Sequence, residues 1–201
     1  MSETRAWMNL EPACPGAWCT GSVPFEGSTF LLEDRALLVD GPSPVPCCCW
    51  TGTLAKPGDP PLTWIREGWD HLEKILPACT SRCLLRPHAC HLASDVPSTR
   101  LLLEKTAPLG IGVALGPASM LVPSMLEDAS DHLVRLLEGL GPACQMVILE
   151  DLDEAGSPRP AGEGILPGKL LGQVIADHVP AAVPVIASGH SIEHIIEWLE
   201  A

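Results

Sequence analysis

Short apolar runs alternate with amphipathic segments along most of this chain. Val45 to Trp50, Cys83 to Arg86, Ile111 to Leu115, Cys144 to Leu149 and Val183 to Ala187 are apolar runs of strand length, and runs of this kind, bounded by turn residues, are expected as buried strands. Between them lie segments with apolar residues at helical spacing. Thr63 is placed to cap a helix from Trp64 to about Leu76, in which Ile65, Trp69, Leu72, Ile75 and Leu76 share a face and Pro77 marks the end. Ser94-Asp95 opens a helix over Val96 to Ala107. Asp128 to Leu140 carries Leu133, Leu136, Leu137 and Leu140 on one face and stops at Gly141, a residue type that commonly terminates helices. A further helix follows Gly162-Glu163-Gly164, and Ser191 caps a last one over Ile192 to Leu199.

Gly141 to Ser188 is the best-marked part of this pattern. It reads as a strand, an acidic strand end (Glu150, Asp151, Asp153), a Gly/Pro loop, a helix and a second strand, which is one βαβ unit. From Val45 onward strand and helix alternate repeatedly, so the fold class is α/β, with either an open doubly wound sheet or a closed barrel. Before Val45 the pattern is irregular. Met1 to Glu33 reads as mostly loop, interrupted by Cys14, Pro15, Gly16, Gly21, Pro24 and Gly27, and Phe30 to Gly41 suits a hairpin turning at Glu33-Asp34. The organisation expected is one domain over residues 1–201, with an irregular segment (1–44) followed by repeated βα units (45–201).

Charge narrows the partners. Twenty-five acidic against 12 basic residues give a formal net charge of −13, which repels phosphate backbones and anionic membrane surfaces. Neither nucleic acid nor a membrane is expected as a partner. Without a basic amino-terminal segment leading into an apolar run, or a stretch long enough to span a bilayer, the reading is a cytoplasmic protein. The nine cysteines are odd in number and include the consecutive Cys47, Cys48 and Cys49, a poor disulfide framework, so cysteine is read as a small buried apolar residue.

Ser98 to Leu115, Asp131 to Asp151 and the Gly162-Glu163-Gly164 segment, in that order and spacing, resemble the xylose isomerase-like TIM barrels, the group that holds sugar phosphate isomerases and epimerases and endonuclease IV. The resemblance runs from about Pro46 to the end. It implies a (β/α) TIM-type barrel with a divalent metal held by acidic and histidine side chains at the strand carboxyl ends. Position by position, this chain departs from that implied site. Where the family commonly has Glu at the end of the strand Cys83 to Arg86, Arg86 stands here; where it has Asp and then His after the next strand, Gly116 and Ser119 stand. Its His and Lys-Asp are matched by Ile148 and by Glu150-Asp151, and its last Glu by Ala187 or Ser188. Only Asp151 and the Gly-Glu-Gly segment survive, so no metal and no other cofactor is expected. A barrel of this type has eight strands in about 250 residues, and only six or seven strands can be found here, so it is expected to be incomplete or shortened on its amino-terminal side.

Several clusters are candidate sites. Glu150, Asp151 and Asp153 at a strand end, with Glu163 in the following loop, could act as an acid/base pair or hold a cation, against the plainer reading of a solvated acidic loop. Arg86 and His88 fall on the same rim of the expected fold, where a guanidinium pairs with carboxylates or receives an anionic ligand. Cys79, Cys83, His88, Cys90 and His91 are potential zinc or copper donors, but their spacing is not the paired pattern of structural zinc, and buried thiols are the preferred reading. Neighbouring strand residues face opposite ways, so Cys47 to Cys49 cannot chelate together. His190 and His194 share a helix face without the glutamate of a zinc protease helix, and Ser188-Gly189-His190 follows the last strand. The Gly-Glu-Gly segment lacks the lysine and spacing of a phosphate loop.

Three functions follow. The first is a degenerate sugar phosphate isomerase/epimerase-like barrel acting as a non-metal binding or scaffold protein for a small, sugar-like ligand. The second is an isomerase or epimerase of a sugar or hydroxy acid on a rebuilt site, with Glu150, Asp151, Glu163 and His88 catalytic and Arg86, Ser188 and His190 binding. The third is a Cys/His zinc- or copper-binding protein. The uncovered edges of a shortened barrel also make a homodimer an expectation.

Overall fold

A computed structural model describes residues 7–9, 47–50, 66, 69–70, 73, 83–89, 91–183, 185–187 and 192–201. The strands are β1 (Trp7–Asn9), β2 (Cys47–Trp50), β3 (Cys83–Arg86), β4 (Gly112–Leu115), β5 (Met146–Leu149), β6 (Asp151–Leu152), β7 (Pro158–Arg159) and β8 (Val185–Ala187). The helices are α1 (Val96–Thr106), α2 (Ala129–Leu140), α3 (Gly168–His178) and α4 (Ile192–Glu200). Arg66, Trp69, Asp70 and Glu73 are also helical, as the spacing around Trp69 requires. The hairpin expected over residues 30–41 lies outside the described residues. No helix among the described residues is long and apolar enough to cross a membrane.

The chain divides into two compact units, residues 15–113 and residues 1–14 with 114–201, and β4 passes from one into the other. In the first unit β2, β3 and the start of β4 lie side by side and parallel, with Cys48 opposite Leu84 and Leu85 opposite Val113. In the second, the end of β4 pairs with β5, β5 with β8 and β8 with β1, again all parallel. Each successive βα unit adds its strand beside the last one without reversing direction, and the amino-terminal strand lies beside the carboxyl-terminal one. A doubly wound sheet has a point at which the order reverses. The order found here, β2-β3-β4-β5-β8-β1, has no such reversal.

β1 falls within the stretch read as mostly loop, of which residues 7–9 are described: Trp7, Met8 and Asn9 pair with Val185, Ile186 and Ala187. Three residues are too few to show a period. β4 and β5 are buried along their whole length, as strands covered on both faces must be. Each begins later than its apolar run. Gly141–Ala143 is a turn of 3-10 helix ahead of β5, and Val183 donates its N–H to the Pro180 carbonyl at 2.9 Å ahead of β8.

α2 buries Leu133, Leu136, Leu137 and Leu140, and each fully buried leucine contributes about 1.5–3 kcal/mol. Gly141 does not end this helix by a left-handed residue, since its φ is −52°. Its hydrogen is needed for another reason: a Cβ there would lie 3.1 Å from the His178 carbonyl and 3.2 Å from Val179 Cγ2. The same logic holds α3 against α4, where a Cβ on Gly168 would overlap the Trp198 carbonyl and indole. At α1, Asp95 accepts from the Ser98 N–H at 2.8 Å while Ser98 Oγ accepts from the Asp95 N–H at 3.1 Å, a closed capping box.

Candidate functional site

The acidic end of β5 folds into structure that the sequence pattern does not announce. β6 and β7 form a two-residue antiparallel ladder, Asp151 opposite Arg159 and Leu152 opposite Pro158. Asp153 builds the turn between them. Its Oδ1 accepts from the N–H groups of Ser157 at 2.8 Å and Ala155 at 3.0 Å, and its Oδ2 accepts from Arg159 at 2.8 Å. Gly156 closes the turn at φ 78°, a conformation that glycine adopts without strain. The Ser157 N–H holds the Asp153 carboxyl below its usual range, with Arg159 and the Ala155 N–H adding to it and burial opposing. Asp-x-x-Gly in residues 153–156 was the available turn signal.

Asp151 is turned inward, with 0% exposure. Its Oδ1 accepts from the N–H of Leu152 at 2.8 Å and of Leu166 at 2.9 Å, and its Oδ2 accepts from the N–H of Gly164 at 2.9 Å. The Ile165 N–H donates to the Leu152 carbonyl at 2.9 Å beside them. One carboxylate therefore clasps the loop ahead of α3 to the end of β5. Burying a charge is tolerable when it accepts several well-placed hydrogen bonds. Gly164 belongs to the clasp, because a Cβ there would overlap the Leu152 carbonyl and the Asp151 carboxylate. The Gly-Glu-Gly segment is thus explained by close approach at Gly164 and by φ 87° at Gly162.

The neighbouring positions are closed to solvent as well. Gly116 to Leu121, after β4, are all buried, and Ser119 Oγ donates to the Gly116 carbonyl at 2.8 Å. Ile148 is 3% exposed. Of the other carboxylates, Glu150 is half-buried and Glu163 exposed. Glu150 adjoins Asp151 in the chain, and Glu163 precedes Gly164, whose N–H donates to Asp151. Ser188 and His190 lie outside the described residues; His194 is exposed on α4.

The end of β3 has a different chemistry. Arg86 is buried and His88 half-buried. After Pro87 the loop folds back, the His88 N–H donating to the Ala93 carbonyl at 3.0 Å and the His91 N–H to the His88 carbonyl at 2.8 Å. This sets the His88 and His91 rings 4.7 Å apart, tilted by 31°. His91 is 1% exposed. Burial pushes its imidazole down to about 3, and the neighbouring His88 and Arg86 add to the shift. Of the expected Cys/His donors, Cys79, Cys90 and the Cys83 side chain lie outside the described residues. Among the described residues no three His, Cys, Asp or Glu side chains are grouped as a metal site needs.

No family model matches this chain, and neither does any curated protein. Among solved structures it is similar to a D-psicose 3-epimerase crystallised in the presence of D-fructose, at 13% identity and a TM-score of 0.46, over 73% of this chain and 57% of that one. It is also similar to a probable 3-DHS dehydratase of Bacillus anthracis involved in petrobactin synthesis, at 17% identity and a TM-score of 0.38, over 68% of this chain and 54% of that one. A third is a xylose isomerase domain protein of Alicyclobacillus acidocaldarius, at 11% identity and a TM-score of 0.42, over 73% of this chain and 59% of that one. The chain spans less than three fifths of the length of each.

Proposed function

We propose that this chain is a shortened xylose isomerase-like protein that has set aside divalent-metal chemistry and acts by binding, as a ligand-binding or scaffold protein for a small sugar-like molecule. The observation that carries this is Asp151. It is the single acidic position of the implied metal set that the chain retains, and both its oxygens are occupied by three backbone N–H donors inside the protein. A divalent cation needs oxygen lone pairs directed at an open position. Three of the lone-pair sites of this carboxylate are taken and none of its surface is exposed, so a cation has no open approach to it. Of the other implied positions, Arg86 is a cation, Gly116 and Ile148 bear no donor side chain, and the Ser119 hydroxyl donates to the Gly116 carbonyl. The donor set does not fit the metal, and no step through one is derived.

The reading is tested by elemental analysis of protein purified without chelator, together with turnover assays on ketose and aldose sugars and their phosphates. The expected result is well below one equivalent of manganese, zinc or magnesium, and no turnover that responds to added metal. A full equivalent of metal that is lost on Asp151→Asn would overturn it.

A further inference from the structure

Ser157 leads from the β6–β7 turn into β7, and Ser157, Pro158 and Arg159 are all exposed. Ser157-Pro158 is the one Ser-Pro pair among the described residues. Pro158 fixes its own φ, has no N–H for the ladder and biases the residue before it toward an extended backbone. A serine and the proline ring that follows it are thus both presented on the surface of an extended segment. The ladder that holds the segment has only two residue pairs, Asp151 with Arg159 and Leu152 with Pro158, and so short a hairpin costs little to lift into an enzyme's cleft.

The charges around this serine make its modification consequential. The Ser157 N–H donates to Asp153 Oδ1 at 2.8 Å, and Arg159 donates to Asp153 Oδ2 at 2.8 Å. The Asp153 carboxyl is held below its usual range, so it is an anion at neutral pH. The Arg159 side chain is 51% exposed, which leaves it room to turn to another partner. Ser157 and Arg159 stand two apart in an extended segment, so their side chains leave by the same face. A phosphate on serine carries about −1.5 to −2 charges and three acceptor oxygens, and a guanidinium grips it with two parallel hydrogen bonds. The turn also bears on a second loop, because a Cβ on Gly156 would lie 3.0 Å from Pro123 Cγ. We propose that Ser157 is a phosphorylation site for a kinase selective for Ser-Pro, and that the phosphate draws Arg159 away from Asp153 and loosens the turn. In the transfer Ser157 Oγ attacks the γ-phosphorus of ATP, the new O–P bond forms as the bond to ADP breaks, and the hydroxyl proton passes to a base of the kinase. The proposal stands apart from the binding reading above.

The test treats the full chain with ATP and a panel of Ser-Pro-selective serine kinases, and locates the phosphate by fragmentation mass spectrometry. Phosphate on Ser157 is expected, lost in Ser157→Ala and strongly reduced in Pro158→Ala, two exposed substitutions that leave the core untouched. NMR of the phosphorylated chain should show amide exchange at Ala155 about tenfold faster, the loss of one hydrogen bond to a charged acceptor. The Arg159 Nε–H signal should shift and follow the second ionisation of the phosphate, with a midpoint at about pH 6. No phosphate on Ser157 with any kinase of the panel, or equal incorporation in Pro158→Ala, would overturn the site. Phosphorylation that leaves the Ala155 exchange and the Arg159 signal unchanged would overturn the switch.

Discussion

The carboxyl ends of β3 and β5 are corresponding places in a repeated βα pattern, and their loops are held in different ways. At β5 a carboxylate is closed off: Asp151 spends both oxygens on the backbone of its own loop. At β3 the loop is tied by main-chain bonds, His88 N–H to Ala93 and His91 N–H to His88. A loop held by a side chain commits that side chain, whereas a loop held by its backbone keeps its form whichever side chains it carries. The acidic cluster, which on charge and position alone looks the better site, thus has a structural carboxylate, Asp151, at its centre.

The contrast breaks first at the clasp. Asp151→Ala would leave three backbone N–H groups without their acceptor, and a loss of roughly 3–5 kcal/mol in urea unfolding is expected, at about 1–3 kcal/mol for each buried unsatisfied donor. Gly164→Ala should be similarly severe, about 3 kcal/mol or more, because the overlap is with a backbone carbonyl and a held carboxylate that cannot swing away. If either variant is as stable as the parent, Asp151 is not structural and the comparison fails.

A second effect belongs to β3. His91 titrates near 6.5 in the unfolded chain and at about 3 in the folded one, so between those values the unfolded state takes up a proton that the folded state refuses. Its contribution is complete above pH 6.5 and declines as the pH falls, by about 1.4 kcal/mol per unit at the steepest. Unfolding of wild type and His91→Gln across pH 4–7 should show a shallower acid slope in the variant; identical slopes would mean that His91 is not held neutral.

Smaller effects sharpen the picture. Asp153→Ala should loosen the β6–β7 turn, seen as faster amide exchange at Ala155 and Ser157, with little change in the unfolding midpoint, because the group is near the surface. Arg135→Ala, which removes a pair with Asp131 that is 73% exposed on both sides, should change stability by less than about 0.5 kcal/mol.

Much of the fold was legible because apolar runs such as Ile111 to Leu115 and the leucines of α2 show their period plainly. β1 was not, being three residues whose strand character comes from pairing with β8. The β6–β7 hairpin was hidden by strands of two residues, one beginning with Pro158. At the site, the sequence shows which residues carry charge but not what satisfies them. Asp151 reads the same whether it holds a metal or a loop, since its partners at Leu152 and Leu166 are backbone N–H groups that any residue but proline supplies. Gly164 was the one visible trace of the clasp. At β3 the histidines and Arg86 were visible as residues, while the return of the loop through Ala93 was not.

The central claim is that the Asp151 carboxylate is bound to its own backbone and closed to a cation. Paramagnetic broadening of amide signals by added manganese reads this directly. The account predicts that the amides of Leu152, Gly164 and Leu166 keep their linewidths while surface acidic residues such as Glu127 and Asp131 show weak, unsaturable broadening. Saturable broadening centred on Leu152, Gly164 and Leu166 at one equivalent of manganese would contradict it.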